Sequence, residues 1–172
     1  METSNNPSTA DALLQVVFVC TGNICRSPMG EVIYRDFLEQ AGLDSQVAVA
    51  SCGIGGWHVG QQADERALAE LTQAGYDGSA HRAQQLNDTL ADADLLVALD
   101  AGHVRQLRAR GIPQERIRLA RSFDPASPPQ ADVDDPYYGT ADDFQQVRQQ
   151  LEAAMPGLVD WARSWIADAS GR

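Results

Sequence analysis

Positive charge is scarce in this sequence. Against 24 aspartates and glutamates stand 13 basic residues, a formal net charge of −11 over 172 residues. Such a surface repels a phosphate backbone or an anionic bilayer over most of its area, which argues against nucleic acid and membrane as partners. Lysine is absent altogether and every base is arginine; with abundant alanine, this is the mark of a high-GC genome and hints at a bacterial source. Long apolar runs are missing as well. The longest, "LLQVVFVC", is too short to span a bilayer, and the opening "METSNNPSTADALLQ" has neither the basic start nor the apolar run of a classical signal peptide, so a cytoplasmic protein is expected. Cysteine is sparse: Cys20, Cys25 and Cys52 are too few and too odd in number for a disulfide framework, and the three histidines lack zinc-ligand spacing. Reduced thiols follow, and their reactivity becomes the question. There is no internal repeat, low-complexity tract or interdomain linker. With 44% apolar and 22% charged residues the chain fits one globular domain, read as 15–172 behind a flexible tail at 1–14.

What is present alternates. "LQVVFV" (14–19) reads as a buried strand, and "SPMGEVIYRDFLEQAGL" (27–43) as a helix with Met29, Val32, Ile33, Phe37 and Leu38 at helical spacing. "QVAVASC" (46–52), "ADLLVALD" (93–100) and "ERIRLA" (115–120) are further strands. "ADERALAELTQAGY" (63–76) and "AGHVRQLRARGI" (101–112) are further helices, stopped by Gly75 and Gly111. The pattern predicts an α/β fold with a parallel sheet of four strands and helices on both faces. From 121 to 140 periodicity lapses, and four prolines and four aspartates mark a long ordered loop of the kind that carries function. The segment 141–170 is helical, with Phe144, Val147, Leu151, Leu158, Trp161 and Trp165 on one face and an expected break or kink near Met155 and Pro156. The two tryptophans are read as core.

The chemistry is concentrated in "VVFVCTGNICRSPMGE", where Cys20 stands at the carboxyl end of the first strand, the place where open parallel sheets put ligands. Thr21, Gly22, Asn23, Ile24 and Cys25 lead from it into a helix whose first turn is set by Pro28. Gly22 and Asn23 let the backbone wrap so that successive N–H groups point inward, and such a nest at a helix N-terminus is an anion site. Arg26 adds a planar fork of donors that suits two phosphate oxygens. The field that holds a dianion also favours a thiolate, which makes Cys20 a nucleophile beneath a bound phosphorus. Ser27 either donates its hydroxyl to that thiolate or caps the helix. A covalent route also needs an acid for the leaving oxygen. The loop "VDDPYYG" supplies candidates: by spacing alone Asp132, Asp134 or Asp135 could serve, and the two tyrosines could wall a cleft for a flat aromatic group.

With these residues in view the chain resembles the low-molecular-weight protein tyrosine phosphatases, the bacterial members above all, from about Gln15 to the C-terminal helix. "VCTGNICRSP" is similar to the family's phosphate-binding loop and "DPYYG" to its acid-bearing loop. The resemblance implies Cys20 as nucleophile, Arg26 as phosphate clamp and Asp135 as general acid and then base. Asn23, Ser27 and Ser51 would form the supporting hydrogen-bond network. Trp57 and His58 of "GWHVG", with Tyr137 and Tyr138, would line the substrate cleft. Neither metal nor cofactor is implied, and the partners are tyrosine-phosphorylated proteins or peptides, with inorganic phosphate as product. Cys25 matches a second loop cysteine that forms a reversible disulfide with the nucleophile in the family, while Cys52 replaces a common alanine and offers a third thiol. His81 and His103 are assigned no role. Three rivals share the fold or the loop. An arsenate reductase would need resolving cysteines, and none follows Cys52; a protein-arginine phosphatase typically carries threonine where Ile24 stands; a non-catalytic phosphate-binding module would lose nucleophile or acid, and this chain keeps both.

Overall fold

All residues of the first strand, β1 (Leu14–Cys20), except the partly buried Gln15, are buried on one side of the sheet or the other. Leu14, Val16, Phe18 and Cys20 belong to one apolar cluster and Val17 and Val19 to a second, almost all fully buried. A strand without a solvent face has to lie inside a sheet covered on both sides. The computed structural model, which describes residue 7 and residues 11–170, has that architecture. A parallel four-stranded sheet runs in the order β2-β1-β3-β4, with β2 at Val47–Gly53, β3 at Leu95–Ala98 and β4 at Ile117–Leu119.

Helices α1 (Arg26–Gln40), α2 (Glu65–Gln73) and α5 (Ala141–Ser170) cover the first face. The short α3 (Asp88–Ala91) and α4 (Ala101–Ala109) lie toward the second. Phe18, Met29, Ile33, Tyr34, Leu71, Phe144 and Leu151 fill the larger cluster, each such side chain contributing roughly 1.5–3 kcal/mol of burial. At Gly30 helix meets strand so closely that a Cβ would stand 2.7 Å from the Phe18 ring. Because β1 pairs with β2 on one side and β3 on the other, its carboxyl end lies at the switch point of the topology, where a crevice opens.

Three expectations need correction. Of the break or kink expected near Pro156, the break is absent: the helix runs continuously from Ala141 to Ser170. Both of its halves bury the same face, Phe144, Val147 and Leu151 before the proline and Leu158, Ala162 and Ile166 after it, and that packing outweighs the missing N–H. Trp161 and Trp165 pack at the edge of the core, half-buried, while Ala162 and Ile166 take the interior positions; Trp161 meets Phe123 edge-on at 6.4 Å. The third and fourth strands are shorter than expected. Asp100 leaves β3 to cap α4, and Gln114–Arg116 forms a 3-10 turn ahead of β4. The expected tail falls largely outside the described residues, and Leu14 already belongs to β1.

Candidate active site

The turn from β1 into α1 is held from outside. Past the end of β2, Ile54 N–H donates to the Cys20 carbonyl (2.9 Å) and Gly55 N–H to that of Thr21 (2.9 Å), and Asp64 N–H donates to Ile24 O (2.8 Å). Gly53 is required at this crossing. A Cβ there would come within 2.9 Å of the Gly22 and Thr21 backbone and of Gly55 O. Asn23 takes the left-handed conformation (φ 61°), which costs a non-glycine residue about 1–2 kcal/mol, and it is the most tightly held residue of the loop. Its Nδ2 donates to Ser27 Oγ (2.8 Å) and Ser51 Oγ (2.9 Å), its Oδ1 accepts from Gln84 N–H (2.9 Å), and its carbonyl accepts from His81 Nε2 (2.8 Å). Ser51 in turn donates to Glu31 Oε1 (2.5 Å), and Glu31 pairs with Arg35. Burial pushes the His81 ring below its ordinary range against the pull of that carbonyl bond, so the ring sits neutral with a proton on Nε2 to donate.

The same network reaches the thiol. Ser27 Oγ, which accepts from Asn23 Nδ2, lies 2.9 Å from Cys20 Sγ, where its hydroxyl can donate to a thiolate. The capping alternative for Ser27 is overturned: α1 begins at Arg26 behind Cys25 and has no side-chain cap. The other two thiols differ in setting. Burial, reinforced by the charge of Asp64, pushes Cys25 far up, and burial pushes Cys52 up to about 12. Cys25 shares the larger apolar cluster with Cys20, whereas Cys52 projects into the cluster on the opposite face of the sheet.

Arg26 is buried, and its guanidinium is fixed from behind. Nη1 donates to Asp100 Oδ2 (2.7 Å) and to Val133 O (2.8 Å), while Nη2 stands 3.7 Å from Asp135 Oδ2. Burial alone would raise the Asp100 carboxyl, but the Arg26 bond and the His103 contacts win and hold it below the usual carboxylate range. His103 closes a capping box with Asp100: Asp100 N–H donates to Nδ1 (3.2 Å), so the ring proton lies on Nε2, 3.0 Å from Thr21 Oγ1. Burial holds this histidine down at about 4 despite the neighbouring Asp100. His81 and His103, passed over in the sequence, therefore both buttress the loop, and so do Asp100 and Glu31. Their contacts to the loop network span 20 to 82 residues and leave no local signal.

Above the loop opens a cleft of about 250 Å³ lined by Cys20, Thr21, Gly22, Ile24, Cys25, Arg26, Trp57, His58, Asp135, Tyr137 and Tyr138. His58 packs on Gly22, and Trp57 (71% exposed) and Tyr138 (95% exposed) form the rim. Tyr137 and Tyr138 meet edge to face at 4.9 Å. Of the three acid candidates, Asp135 lines this cleft, and its Oδ1 accepts from Tyr137 N–H (3.1 Å). Asp132 instead accepts from Ala101 N–H (2.9 Å) at the start of α4. The arrangement thus brings a thiol, a guanidinium and a carboxyl to one opening above the loop between β1 and α1.

The chain matches the model of the low molecular weight phosphotyrosine protein phosphatases over residues 15–166. It is 51% identical over 155 residues to the low molecular weight protein-tyrosine phosphatase A of Mycobacterium tuberculosis, covering 90% of this chain and 94% of that one. Among solved structures it resembles the protein tyrosine phosphatase of Entamoeba histolytica with Hepes in the active site (TM-score 0.82, 28% identity, 88% of this chain and 97% of that one). It also resembles the YwlE arginine phosphatase of Bacillus subtilis in a mutant with a phosphorylated active-site serine (TM-score 0.78, 28% identity, 87% and 96%).

Proposed function

The chain belongs to the low molecular weight phosphotyrosine protein phosphatase family, and we propose that Cys20, Arg26 and Asp135 carry its hydrolysis of phosphotyrosine through a cysteinyl-phosphate. The observation that supports this assignment above others is the convergence of Cys20 Sγ, backed by the Ser27 hydroxyl, with Arg26 and Asp135 on one cleft. The phosphate dianion sits on the loop amides and on the Nε and Nη2 edge of Arg26, since Nη1 is taken by Asp100 and Val133. The Cys20 thiolate attacks phosphorus and forms the S–P bond as the P–O bond to the phenol breaks. Asp135 delivers its proton to the departing oxygen, so that a phenol leaves rather than a phenolate. The resulting Asp135 carboxylate then takes a proton from water as that water attacks phosphorus. The S–P bond breaks, and thiolate and inorganic phosphate are regenerated.

Ile24, Trp57, Tyr137 and Tyr138 give the opening walls suited to an aryl ring. A guanidinium group finds no polar partner of its own at Ile24, which favours phosphotyrosine over phosphoarginine. The test is phosphate release from a phosphotyrosine peptide and from a phosphoarginine substrate, by the native protein, Cys20→Ser and Asp135→Asn. Turnover of phosphotyrosine that disappears in Cys20→Ser and falls about 100-fold in Asp135→Asn is expected. A preference for phosphoarginine, or peptide binding without phosphate release, would refute the reading.

A further inference from the structure

Asp135 lies on a surface loop, and a general acid on a loop is only as good as the anchors on either side of it. The anchor before it is secure. Val133 is fully buried, its N–H donates to Leu99 O (2.8 Å), and its carbonyl accepts from Arg26. After Asp135 the backbone leans on Arg66, a residue outside the cleft lining. Arg66 Nη2 donates to Tyr137 O (2.9 Å) and Nη1 to Gly139 O (3.2 Å). The guanidinium carbon lies 4.6 Å from the centroid of the Phe144 ring and 5.7 Å from that of Tyr137.

The remaining edge of Arg66 is gripped by Asp64, through Nε to Oδ1 and Nη2 to Oδ2, both 3.0 Å. Asp64 caps α2 and donates its own N–H to Ile24 O in the phosphate-binding loop. A continuous path therefore runs from the loop beneath the phosphate, through Asp64 and Arg66, to the two carbonyls that follow Asp135. Since Asp135 Oδ1 accepts from Tyr137 N–H, the direction of the carboxyl follows the backbone that Arg66 holds.

We propose that Arg66 is a positioning residue for the acid step, locking the 137–139 backbone to the phosphate-binding loop so that Asp135 meets the leaving oxygen. The inference rests on the reading of Asp135 as general acid. In the pair with Asp64 the arginine is 36% and the aspartate 14% exposed, and what the pair does for the site is set by its geometry. Arginine is needed: two carbonyls and a carboxylate are met by donors of one planar fork whose carbon stands over two aromatic rings, and an ammonium offers no such fork.

The test separates acid catalysis from general damage by leaving-group chemistry. Phosphotyrosine needs a proton on its departing oxygen, whereas dinitrophenyl phosphate expels a stable phenolate without one. For Arg66→Lys, kcat/KM should fall about tenfold on a phosphotyrosine peptide and less than about twofold on dinitrophenyl phosphate, with thermal stability nearly unchanged. The effect should largely vanish when Asp135→Asn is already present, because the two residues act as one unit. Equal losses on both esters, no loss on phosphotyrosine, or a loss that adds in full to that of Asp135→Asn would overturn the proposal. Arg66→Gln provides a second variant, and Arg66→Lys carries the test should the glutamine variant not fold. If Asp135→Asn by itself lowers both esters equally, the acid assignment fails first and the role of Arg66 falls with it.

Discussion

His103 shows how a single side chain can be structural and still serve the site. Its ring joins Asp100, which grips Arg26, to Thr21 in the phosphate-binding loop, and it does so in the neutral form with its proton on Nε2. Burial holds the folded ring at about 4 where the ordinary value is 6.5. Between those values the unfolded chain takes up a proton that the folded chain refuses, so folding loses stability as pH falls through this window and keeps it all above 6.5. From about pH 7.5 to about pH 5 the loss from this group comes to about 2 kcal/mol. Urea unfolding at the two pH values should therefore show a smaller drop for His103→Gln than for the native protein; an equal drop would mean that the ring titrates normally in the fold. Nothing in the sequence around His103 announces this. Cys20, Arg26 and Asp135 stand in local motifs, whereas Thr21 and His103 are 82 positions apart and meet only because β1 and β3 are neighbours.

At the scale of elements, the strands were legible as short, nearly continuous apolar runs and the helices because their apolar residues repeat every three to four positions, and the sheet followed from the alternation of the two. The ends were less so. Capping by Asp100 and the 3-10 turn before β4 are local bonds that cut short the apolar runs around them, whereas the passage of α5 through Pro156 is settled by burial on both sides of the proline, not by propensity. The crossing of β2 over the phosphate-binding loop is likewise a tertiary event, and Gly53 is its pivot. For Gly53→Ala the new methyl group meets backbone on three sides at 2.9 Å, so the loop rather than a side chain has to move. The variant should lose about 1–3 kcal/mol of stability and bind inorganic phosphate at least about tenfold more weakly, read by thermal unfolding and by calorimetry. Unchanged phosphate binding would show that the loop does not depend on this close approach.

For the molecule as a whole, the charge of −11 is carried by a surface without lysine, and the described residues include no helix long and apolar enough to cross a membrane. Within that negative envelope the site keeps a buried cation, Arg26, paired from behind by Asp100 and turned toward the cleft and Asp135 along its other edge. A dianion is thus drawn to the opening over the Cys20 thiol. The most direct test of the account is to find the phosphoryl group there. Asp135→Asn mixed with dinitrophenyl phosphate, quenched in acid within the first turnovers and mapped by peptide mass, should carry a phosphoryl group on the peptide that contains Cys20, because attack still proceeds while water is no longer activated. Phosphate released with no phosphoryl group on Cys20, or a phosphoryl group found on another residue, would contradict the cysteinyl-phosphate mechanism.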